Sequence, residues 1–541
     1  MPADKTAATA SKPKKPAPRR AAKAKLNPVK AAPMAAAKPA PQRPNRGPGG
    51  KPAAPGQPTA AQAKLWNSLK PEQKMALRER EAVRLFAQGL ERHRANDLEG
   101  AVGLYGQALL LDPRLPDIYN NMGVALRRLG KREAAVACYR RSLVLKPDHP
   151  GAYTNLGNVL RELGRIEVAV ASHRRAVSLA PNSADAHYNL GLALRDLGET
   201  DEALKEFAAT LKLDPDHADC RWDRALTMLQ KGNLKEGFKE YEWRWKLART
   251  PARAFKQPLW DGKPLAGKTI LIHAEQGFGD AIHFARYVPM VKALGGTVVL
   301  ETRPELARLF STLAGVGQVV NAGAPLPRFD VYAPMMSLAR IFGTTLETIP
   351  KAVPYIRAPE AHAPGLPANL GKQRKVGIAW AGSRTHQNDA NRSVKFSNFV
   401  ELLGLPETTI YSLQQGPAAA AIREHGCQAF VMDLGTRMRD FADTAAVLQQ
   451  LDLVIAVDTA VAHLAGALGK PVWVALPYPG DWRWMQEGDR SPWYPTMRLF
   501  RQRRPGEWDL VFERIRKALH DEISGRAPAL QAAPAAPVKK T

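Results

Sequence analysis

The segment from Ala152 to Gly164 reads Ala-Tyr-Thr-Asn-Leu-Gly-Asn-Val-Leu-Arg-Glu-Leu-Gly, and its pattern recurs along the chain every 34 residues. Small residues let two helices approach closely, a glycine ends the first helix of each unit, and a proline ends the second. A period of this length predicts a solenoid of stacked helical hairpins. The positions that share the period are Ala101, Ala135, Ala169 and Ala203; Gly123, Gly157 and Gly191; Gly130, Gly164, Gly198 and Gly232; and Pro113, Pro147, Pro181 and Pro215.

The pattern resembles the tetratricopeptide repeat. We expect an α-solenoid domain over residues 76–250, with a concave groove that suits an extended peptide. The units that fit are residues 82–115, 116–149, 150–183 and 184–217, with a divergent unit from 218. That last unit is aromatic, which favours a cap that docks against the next domain; its residues are Phe238, Tyr241, Trp243 and Trp245.

A ladder of asparagines follows the same period at Asn121, Asn155 and Asn189. A side-chain amide can pair with both the C=O and the N–H of an extended peptide, so such a ladder can hold a backbone without reading its sequence. It resembles the asparagine ladder of the O-GlcNAc transferases, which implies peptide binding. Asparagine is also common here in ordinary repeats, so both interpretations stay open. The ladder ends at Ala87 and Asp223.

Charge is concentrated in the N-terminal part of this 541-residue chain. The formal net charge is +27, and residues 1–60 hold 13 Lys or Arg against one acid, Asp4. With few large apolar side chains, the segment 1–75 cannot offset the entropy of ordering, and we expect a disordered basic tail there and a second disordered tail at 524–541. Residues 1–60 carry no aromatic side chain for base stacking, which argues against a specific nucleic-acid partner.

Cysteine usage and hydropathy favour a cytoplasmic protein. Cys138, Cys220 and Cys427 are far apart and share no metal-ligand spacing, so neither a zinc site nor a disulfide framework is expected. The Arg19-Arg20 pair is not followed by an apolar core, and no signal peptide is visible. No uninterrupted apolar stretch is long enough to span a bilayer, so no transmembrane segment is expected.

After residue 265 the pattern changes to alternating strands and helices. Apolar runs at Thr269–His273 and Thr297–Glu301 flank a helical pattern from Asp280 to Leu294. Further strand-like runs lie at Val376–Trp380, Thr409–Leu413, Leu453–Val457 and Val472–Ala475. This order predicts an α/β region of two Rossmann-like halves, at 265–350 and 371–523, with ligands at the carboxyl ends of the strands.

Two loops at those strand ends carry candidate chemistry. In the first, Gly277 and Gly279 permit close backbone approach before Asp280, which could also serve only as a helix N-cap. The second, Asp458-Thr459-Ala460, runs into a helix whose free N–H groups and dipole favour a diphosphate. His463 lies one turn inside that helix. An aromatic run near Asp481 and Arg483 reaches the same edge, and we favour packing for its rings.

The Gly-x-Gly-Asp and Asp-Thr-x-x-x-His patterns, the second followed by Gly469-x-Pro471, resemble those of heptosyltransferase-related enzymes of the glycosyltransferase-B fold. The resemblance covers about residues 269–520. Repeats fused to such a domain are similar to the bacterial O-GlcNAc-transferase-like proteins. By this resemblance Asp280 is the general base. The donor-binding residues that it implies are Gly277, Gly279, Gly382, Ser383, Arg392, Asp458, Thr459, Ala460 and His463.

Three positions depart from that family. Ala460 stands where heptosyltransferases commonly have glycine, Arg392 replaces a lysine, and neutral Gln414 and Gln415 occupy the place of an acidic partner for the donor ribose. The donor's identity is therefore open. A helix N-terminus and an arginine can stabilise a leaving diphosphate, so no metal and no cofactor other than the nucleotide-sugar substrate is expected.

The leading hypothesis is an inverting glycosyltransferase that moves a hexosyl- or heptosyl-type sugar from a nucleotide diphosphate to a protein or peptide held by the repeats. The main alternative is a non-catalytic interaction scaffold with a degenerate glycosyltransferase-like domain. A third interpretation is glycan assembly on a lipid-linked acceptor, with the basic tail touching a membrane.

Overall fold

The computed structural model describes residues 66–250, 253–275, 277–359, 366, 373–384 and 388–527. Most of the two segments predicted to be disordered tails, 1–75 and 524–541, lies outside these residues. The described residues form two compact units, one that ends at Leu129 and one that begins at Gly130.

The first unit is helical, with helices Pro71–Arg94, Leu98–Leu111 and Pro116–Arg128. The first of these begins inside the segment assigned to the tail, with a proline in its first turn. The carboxylate of Asp97 caps the second helix by accepting from the N–H of Gly100 at 3.0 Å. Tyr105 of the second helix lies against Gly89 of the first, where a Cβ would come within 2.5 Å of the ring.

Helical hairpins continue at the start of the second unit. Gly164, Gly198 and Gly232, which end first helices, have positive φ angles of 72°, 91° and 83°, a conformation that glycine adopts without steric cost. The predicted solenoid is confirmed. Its helices in this unit are Arg132–Leu145, Pro150–Glu162, Ile166–Leu179, Ala184–Leu197, Thr200–Leu213, Ala218–Gln230 and Leu234–Tyr241, followed by a 3-10 turn at Glu242–Lys246.

Two parallel sheets follow, and they confirm the predicted pair of α/β halves. The first sheet has the order β3-β2-β1-β4, formed by β1 Thr269–His273, β2 Thr297–Thr302, β3 Val316–Asn321 and β4 Val331–Pro334. The second has the order β10-β9-β8-β5-β6-β7, formed by β5 Arg374–Ala379, β6 Thr408–Ser412, β7 Val431–Asp433, β8 Leu453–Val457, β9 Val472–Leu476 and β10 Met497–Arg501. β8 and β9 are buried along their whole length, as expected for parallel strands covered on both faces.

The helices that connect these strands are short. The single helix predicted from Asp280 to Leu294 is wrong in detail: Phe278–Phe284 is followed by a 3-10 turn, Ala285–Tyr287, and then by Val288–Ala293. Pro289 lacks an N–H and cannot continue the ladder of the first helix. The remaining helices are Pro304–Phe310, Leu338–Ile341, Asp389–Arg392, Ser397–Val400, Ala421–Glu424, Phe441–Gln449, Ala460–Ala467 and Trp508–Ile523.

The last repeat shares one hydrophobic core with the α/β region. The ring of Phe238 meets Trp482 edge-on at 5.5 Å between centroids and Phe284 at 6.2 Å. Buried Arg244 adds an ion pair, its Nε lying 2.7 Å from the Glu275 carboxylate. The predicted docking of the aromatic cap is thus confirmed for Phe238 and Tyr241. Trp243 instead lies under two cations, Arg221 and Lys246.

Candidate functional site

The two candidate loops meet at the carboxyl ends of β1 and β8. Helix Phe278–Phe284 packs against helix Ala460–Ala467, and Gly279 is the point of closest approach. A Cβ at Gly279 would lie 3.0 Å from the ring of His463 and 3.7 Å from the Cα of Ala460. Because a side chain at this position would press on His463, glycine lets the two helices approach closely.

Asp280 points into this junction. The N-cap of its helix is Gly277, and the Asp280 side chain does not cap, so the interpretation of Asp280 as an N-cap is wrong. Its carboxylate instead accepts a hydrogen bond from Nη2 of Arg483 at 2.5 Å. Arg483 lies 203 residues further along the chain, in the second half, so the ion pair joins the two halves directly at the site.

Arg483 is a member of the site that sequence reasoning did not assign to it. Its guanidinium also contacts Asp481, with Nη1 2.8 Å from the carboxylate oxygen, and lies 4.3 Å from the centroid of the Trp482 ring. The side chain is buried, and its Nε–H has no acceptor in the described part of the chain. The sequence signal was the alternation Asp-Trp-Arg-Trp directly after β9.

Asp458 follows β8 and has an unusual protonation equilibrium. Burial, together with the neighbouring Asp481 carboxylate, raises its pKa from the ordinary 3.8 to about 6, against the opposing effect of Arg392 and Arg483. The indole N–H of Trp484 also favours the ionised form, although its geometry falls short of a full hydrogen bond. A carboxyl whose pKa is raised by burial and a neighbouring like charge is a candidate functional group.

His463 is held as a neutral ring. Burial, followed by the nearby cations Arg483, Arg286 and Arg392, places its pKa well below 6.5. Its Nδ1 lies 3.0 Å from the hydroxyl of Tyr494, and its ring stacks on Trp484 with centroids 5.0 Å apart. Nε2 lies 3.9 Å from the Asp458 carboxylate. The prediction that His463 faces the same mouth as Asp458 agrees with this placement.

The start of helix Ala460–Ala467 has an unused polar group. Thr459 is the N-cap residue, yet its side chain does not cap the helix. It is 8% exposed, and its Oγ1 has no partner among the residues that the structure describes. A hydroxyl buried without a partner is costly unless a ligand supplies one. Ala460 follows as the first residue of the helix, and the first backbone N–H groups of a helix have no acceptor within it.

The loop after β5 reaches the same region. Arg392 donates from Nη1 to the carbonyl of Asp458 at 3.2 Å. Gly382 lies against this guanidinium, since a Cβ there would be 2.5 Å from Arg392 Nη2. Ser383 follows in the same loop and is exposed. Arg392 is therefore beside the candidate diphosphate position, as the resemblance implied.

Gln414 has a structural task in this loop. Its amide oxygen accepts from the backbone N–H groups of Trp380 and Ala381 at 3.0 and 2.9 Å. Gln415 donates to the carbonyl of Met438 at 3.2 Å. A carboxylate would be expected here from the related enzymes, but the neutral amide of Gln414 can both accept and donate, which holds the end of β5 in place.

The segment 481–486, which we call the covering segment, lies over the junction. Arg501 of β10 binds it by donating to the carbonyls of Trp484, Met485 (3.0 Å), Glu487 (3.2 Å) and Gly488 (2.8 Å). Gln486 also donates to the carbonyl of Gly198 in the repeats at 2.7 Å. Trp484 is fully buried, so its ring closes the space above His463. The expected packing role of these aromatic rings is confirmed.

Two asparagines of the ladder are bonded to their own helices. Asn121, in the first unit, donates to the carbonyl of Asp117 at 2.8 Å, and Asn189, in the second, donates to that of Asp185 at 2.7 Å. Asn155 also has a polar interaction. For Asn121 and Asn189, the bond to the helix uses one N–H of the amide, and a side-chain amide carries a second N–H and a carbonyl oxygen.

Asp223, where the ladder ends, is used within the solenoid. It accepts from the hydroxyl of Tyr188 at 2.6 Å and from Arg195 at 2.5 Å. A carboxylate engaged in this way cannot offer an amide's paired donor and acceptor to a peptide.

Family models match both regions of the chain. TPR repeat models match residues 89–130, 157–198, 116–149 and 184–217. The model of glycosyltransferase family 9 (heptosyltransferase) matches residues 412–476, a span that contains Asp458, Thr459, Ala460 and His463. The chain thus combines tetratricopeptide repeats, which indicate protein–protein interaction, with a glycosyltransferase-like C-terminal region.

Similar proteins share part of this organisation. Protein FlbA of Caulobacter vibrioides is 30% identical over 308 residues, which are 52% of this chain and 51% of that protein. The chain therefore spans about half the length of this curated relative. MamA 41-end from Desulfovibrio magneticus RS-1 (23% identity, 31% of this chain, 96% of that chain, TM-score 0.30) is similar over the repeats. YrrB, a TPR protein with an unusual peptide-binding site, is similar as well (25% identity, 33% of this chain, 93% of that chain, TM-score 0.29).

Hydropathy adds one observation. None of the helices in the described part of the chain combines the length and apolar character that a bilayer span requires.

Proposed function

We propose that this chain is an inverting glycosyltransferase of the glycosyltransferase-B arrangement, which transfers a sugar from a nucleotide-diphosphate donor to a protein or peptide acceptor. The observation that carries the proposal is the convergence of two loops from separate halves. They bring the Asp280 carboxylate beside the group formed by Asp458, Thr459 and His463. A base on one half and an anion-binding helix start on the other are the parts that an inverting transfer needs.

In this proposal the donor's diphosphate rests at the start of helix Ala460–Ala467. The backbone N–H groups there and the unpartnered hydroxyl of Thr459 supply hydrogen bonds, and Arg392 supplies positive charge. These groups stabilise the leaving nucleoside diphosphate by a route that involves no metal. Asp280 takes the proton from the acceptor hydroxyl.

The repeats carry the acceptor in this proposal. Their last unit shares a core with the α/β region, and Gln486 beside the site is bonded to the repeat residue Gly198. A peptide in the groove of the second unit, held by Asn155 and Asn189, is therefore part of the same compact body as the site. Asn121 belongs to the first unit.

The test is the change Asp280→Asn in the full chain. We expect sugar-nucleotide hydrolysis or transfer to fall at least about 100-fold, because a neutral amide cannot take the acceptor proton. The assay uses UDP-, GDP- and ADP-sugars with wild-type and variant protein. Circular dichroism and thermal unfolding confirm that the variant is folded. Activity near the wild-type value would refute the role of Asp280.

One observation favours the alternative of a non-catalytic scaffold. The covering segment fills the junction: Trp484 stacks on His463, and Arg483 is paired with Asp280. If this arrangement never opens, the chain binds peptides through its repeats and no nucleotide. Calorimetry separates the two functions, since a scaffold would show no heat of binding with any nucleoside diphosphate.

A further inference from the structure

The guanidinium of Arg483 lies between carboxylates of the two halves. Asp280, from the first half, lies 2.5 Å from Nη2, and Asp481, from its own segment, lies 2.8 Å from Nη1. The planar fork of an arginine binds a carboxylate and a phosphate with the same geometry. Arg483 therefore holds, in this structure, an anion that a second anion can replace.

The two carboxylates differ in how firmly they are held. Asp481 is fixed locally, because its carboxylate also accepts from the backbone N–H of Arg483 at 3.0 Å. The Asp280 and Asp481 side chains are similarly exposed, at 29% and 36%, but within the described part of the chain the Asp280 carboxylate accepts a hydrogen bond from Arg483 alone. Of the two, Asp280 is the partner that an incoming anion displaces.

The guanidinium also has unused capacity. Its Nε–H is buried and has no acceptor among residues 66–527 as far as they are described. Arg483 lies close enough to Asp458 to affect its ionisation, and the backbone carbonyl of Asp458 is bonded to Arg392. The start of helix Ala460–Ala467 follows directly. Two arginines and a helix start thus surround one place, and together they match the charge of a diphosphate.

We propose that Arg483 is a donor-binding residue that exchanges its partner: without donor it pairs with Asp280, and the donor's diphosphate takes the guanidinium and releases the Asp280 carboxylate. This inference rests on the proposed function and deepens it, because it assigns to the covering segment a role in the reaction. Release frees the Asp280 oxygen that Arg483 occupies, so the carboxylate can accept the acceptor's proton once donor is bound.

The transfer step then balances. The acceptor hydroxyl oxygen forms a bond to the anomeric carbon, and its proton passes to the freed Asp280 carboxylate. The bond between the anomeric carbon and the diphosphate oxygen breaks, and its electron pair leaves with the nucleoside diphosphate. Arg483 and Arg392 stabilise the negative charge that develops on that oxygen.

The experiment measures binding of UDP, GDP, ADP and inorganic pyrophosphate to the full chain by calorimetry. If the two anions compete, Asp280→Asn binds the diphosphate about tenfold more tightly than wild type, because the competitor has lost its charge. Arg483→Met binds at least about tenfold more weakly, and the double variant behaves like Arg483→Met. Arg483→Lys, which keeps the charge without the fork, replaces Arg483→Met if the latter does not fold.

A matched control is available at a second bridge between the halves. Arg308, from the first half, lies 3.0 Å from the carboxylate of Asp440 in the second. Asp440→Asn makes the same chemical change as Asp280→Asn, and an asparagine still caps the helix that Asp440 begins. We expect this control to bind diphosphates as wild type does.

Three results would overturn the proposal. Asp280→Asn could bind with equal or lower affinity than wild type, which would make the Arg483–Asp280 pair a structural bridge only. Asp440→Asn could raise the affinity equally, which would attribute the gain to loosened halves. Finally, neither wild type nor Asp280→Asn could bind any of the four probes. Binding by Asp280→Asn alone supports the proposal. The proposed function is judged separately, by the turnover of sugar nucleotides by wild type.

Discussion

Two histidines in different regions of the molecule are each buried against a glycine of a neighbouring helix. In the repeats, His173 fills the space at Gly157, where a Cβ would come within 2.5 Å of its ring; in the site, His463 fills the space at Gly279, at 3.0 Å. His463 is bonded to Tyr494 and faces Asp458, whereas both nitrogens of His173 lack a partner among the described residues. Packing of a histidine ring against a glycine therefore has two different results. In the repeats the ring of His173 only fills space, whereas in the site the ring of His463 is also held in position by polar contacts.

His173 occupies a position that holds an aromatic side chain in the other repeats. The equivalent positions one or two units away hold Tyr105, Tyr139 and Phe207, and Phe207 fills the space at Gly191 in the same manner. A histidine in this slot loses its hydrogen bonds to water without gaining others. We infer that polarity has a use at His463 and has none at His173, and three experiments can break or sharpen that contrast.

The largest effect is expected from His173→Phe under mildly acidic conditions. Burial, with Arg161 as the second cause, lowers the pKa of His173 from 6.5 to about 3. Its folded-state pKa is depressed, so the stability of the wild type falls as pH drops from 6.5 toward 3. Removing the unpaired nitrogens should add about 1–2 kcal/mol at pH 7.5, and the advantage should grow by about 2 kcal/mol at pH 5.

Urea unfolding of wild type and His173→Phe at both pH values measures this difference. Phe207→Leu is a matched core substitution in the next unit, and its effect should not depend on pH. An advantage of His173→Phe that stays constant from pH 7.5 to 5 would show that His173 finds a hydrogen bond in the folded protein.

A smaller effect of opposite pH dependence is expected at the site from Asp458→Asn. The folded-state pKa of this carboxyl is raised from 3.8 to about 6, so the wild type loses stability as pH rises through that range. The variant should match wild type near pH 4 and be more stable by about 2–3 kcal/mol at pH 7.5, since an amide carries no charge to bury. Urea unfolding at the two pH values is the measurement.

Asp452→Asn offers a control, because Asp452 accepts from a backbone N–H near the start of β5, away from the junction. If Asp458→Asn were less stable than wild type at pH 7.5, the carboxylate would be ionised and satisfied in the folded state.

The smallest effect on stability is expected when a methyl group is added at Gly157 or at Gly279 by substitution with alanine. Gly157→Ala should destabilise the protein by about 1–3 kcal/mol, because the His173 ring has no room to move in the packed solenoid. Gly279→Ala should cost less than about 1 kcal/mol and weaken nucleoside-diphosphate binding instead, since the gap of 3.0 Å needs only a small shift of His463.

Thermal unfolding and calorimetry on the two alanine variants give both numbers. Gly103→Ala is a useful reference, because a Cβ at Gly103 meets nothing within 4 Å. Equal losses of stability at Gly157 and Gly279 would remove the proposed difference between filling and positioning.

The sequence predicts the repeats well because the same residue types recur at equivalent positions of each unit. Glycine, alanine and proline recur with period 34, so the hairpins follow from local rules. The two loops of the site were also predicted, because each glycine or acid lies directly after a recognisable buried strand. Strands β3, β4, β7 and β10 were missed. β3 is largely exposed, β4 and β7 are only four and three residues long, and arginines interrupt the apolar run of β10.

The long-range hydrogen bonds and ion pairs of the site could not be predicted in the same way. Arg483 reaches Asp280 across 203 residues, and Tyr494 joins His463 to His283, which lies 211 residues away. No periodicity links such positions, since they meet only after both halves have folded. The first loop likewise gave no sign that Glu275 pairs with Arg244 of the last repeat.

The shared core of the last repeat has a consequence for how such chains can diversify. Residues from Ala225 onward belong to the interior of the α/β region, and Gly198 and Thr200 hold the covering segment through Gln486. Gain or loss of a whole 34-residue unit N-terminal to residue 184 would leave these contacts intact. Swapping the last two units would not. Lineages that change their repeat number should therefore vary upstream of residue 184 and keep the final pair fixed.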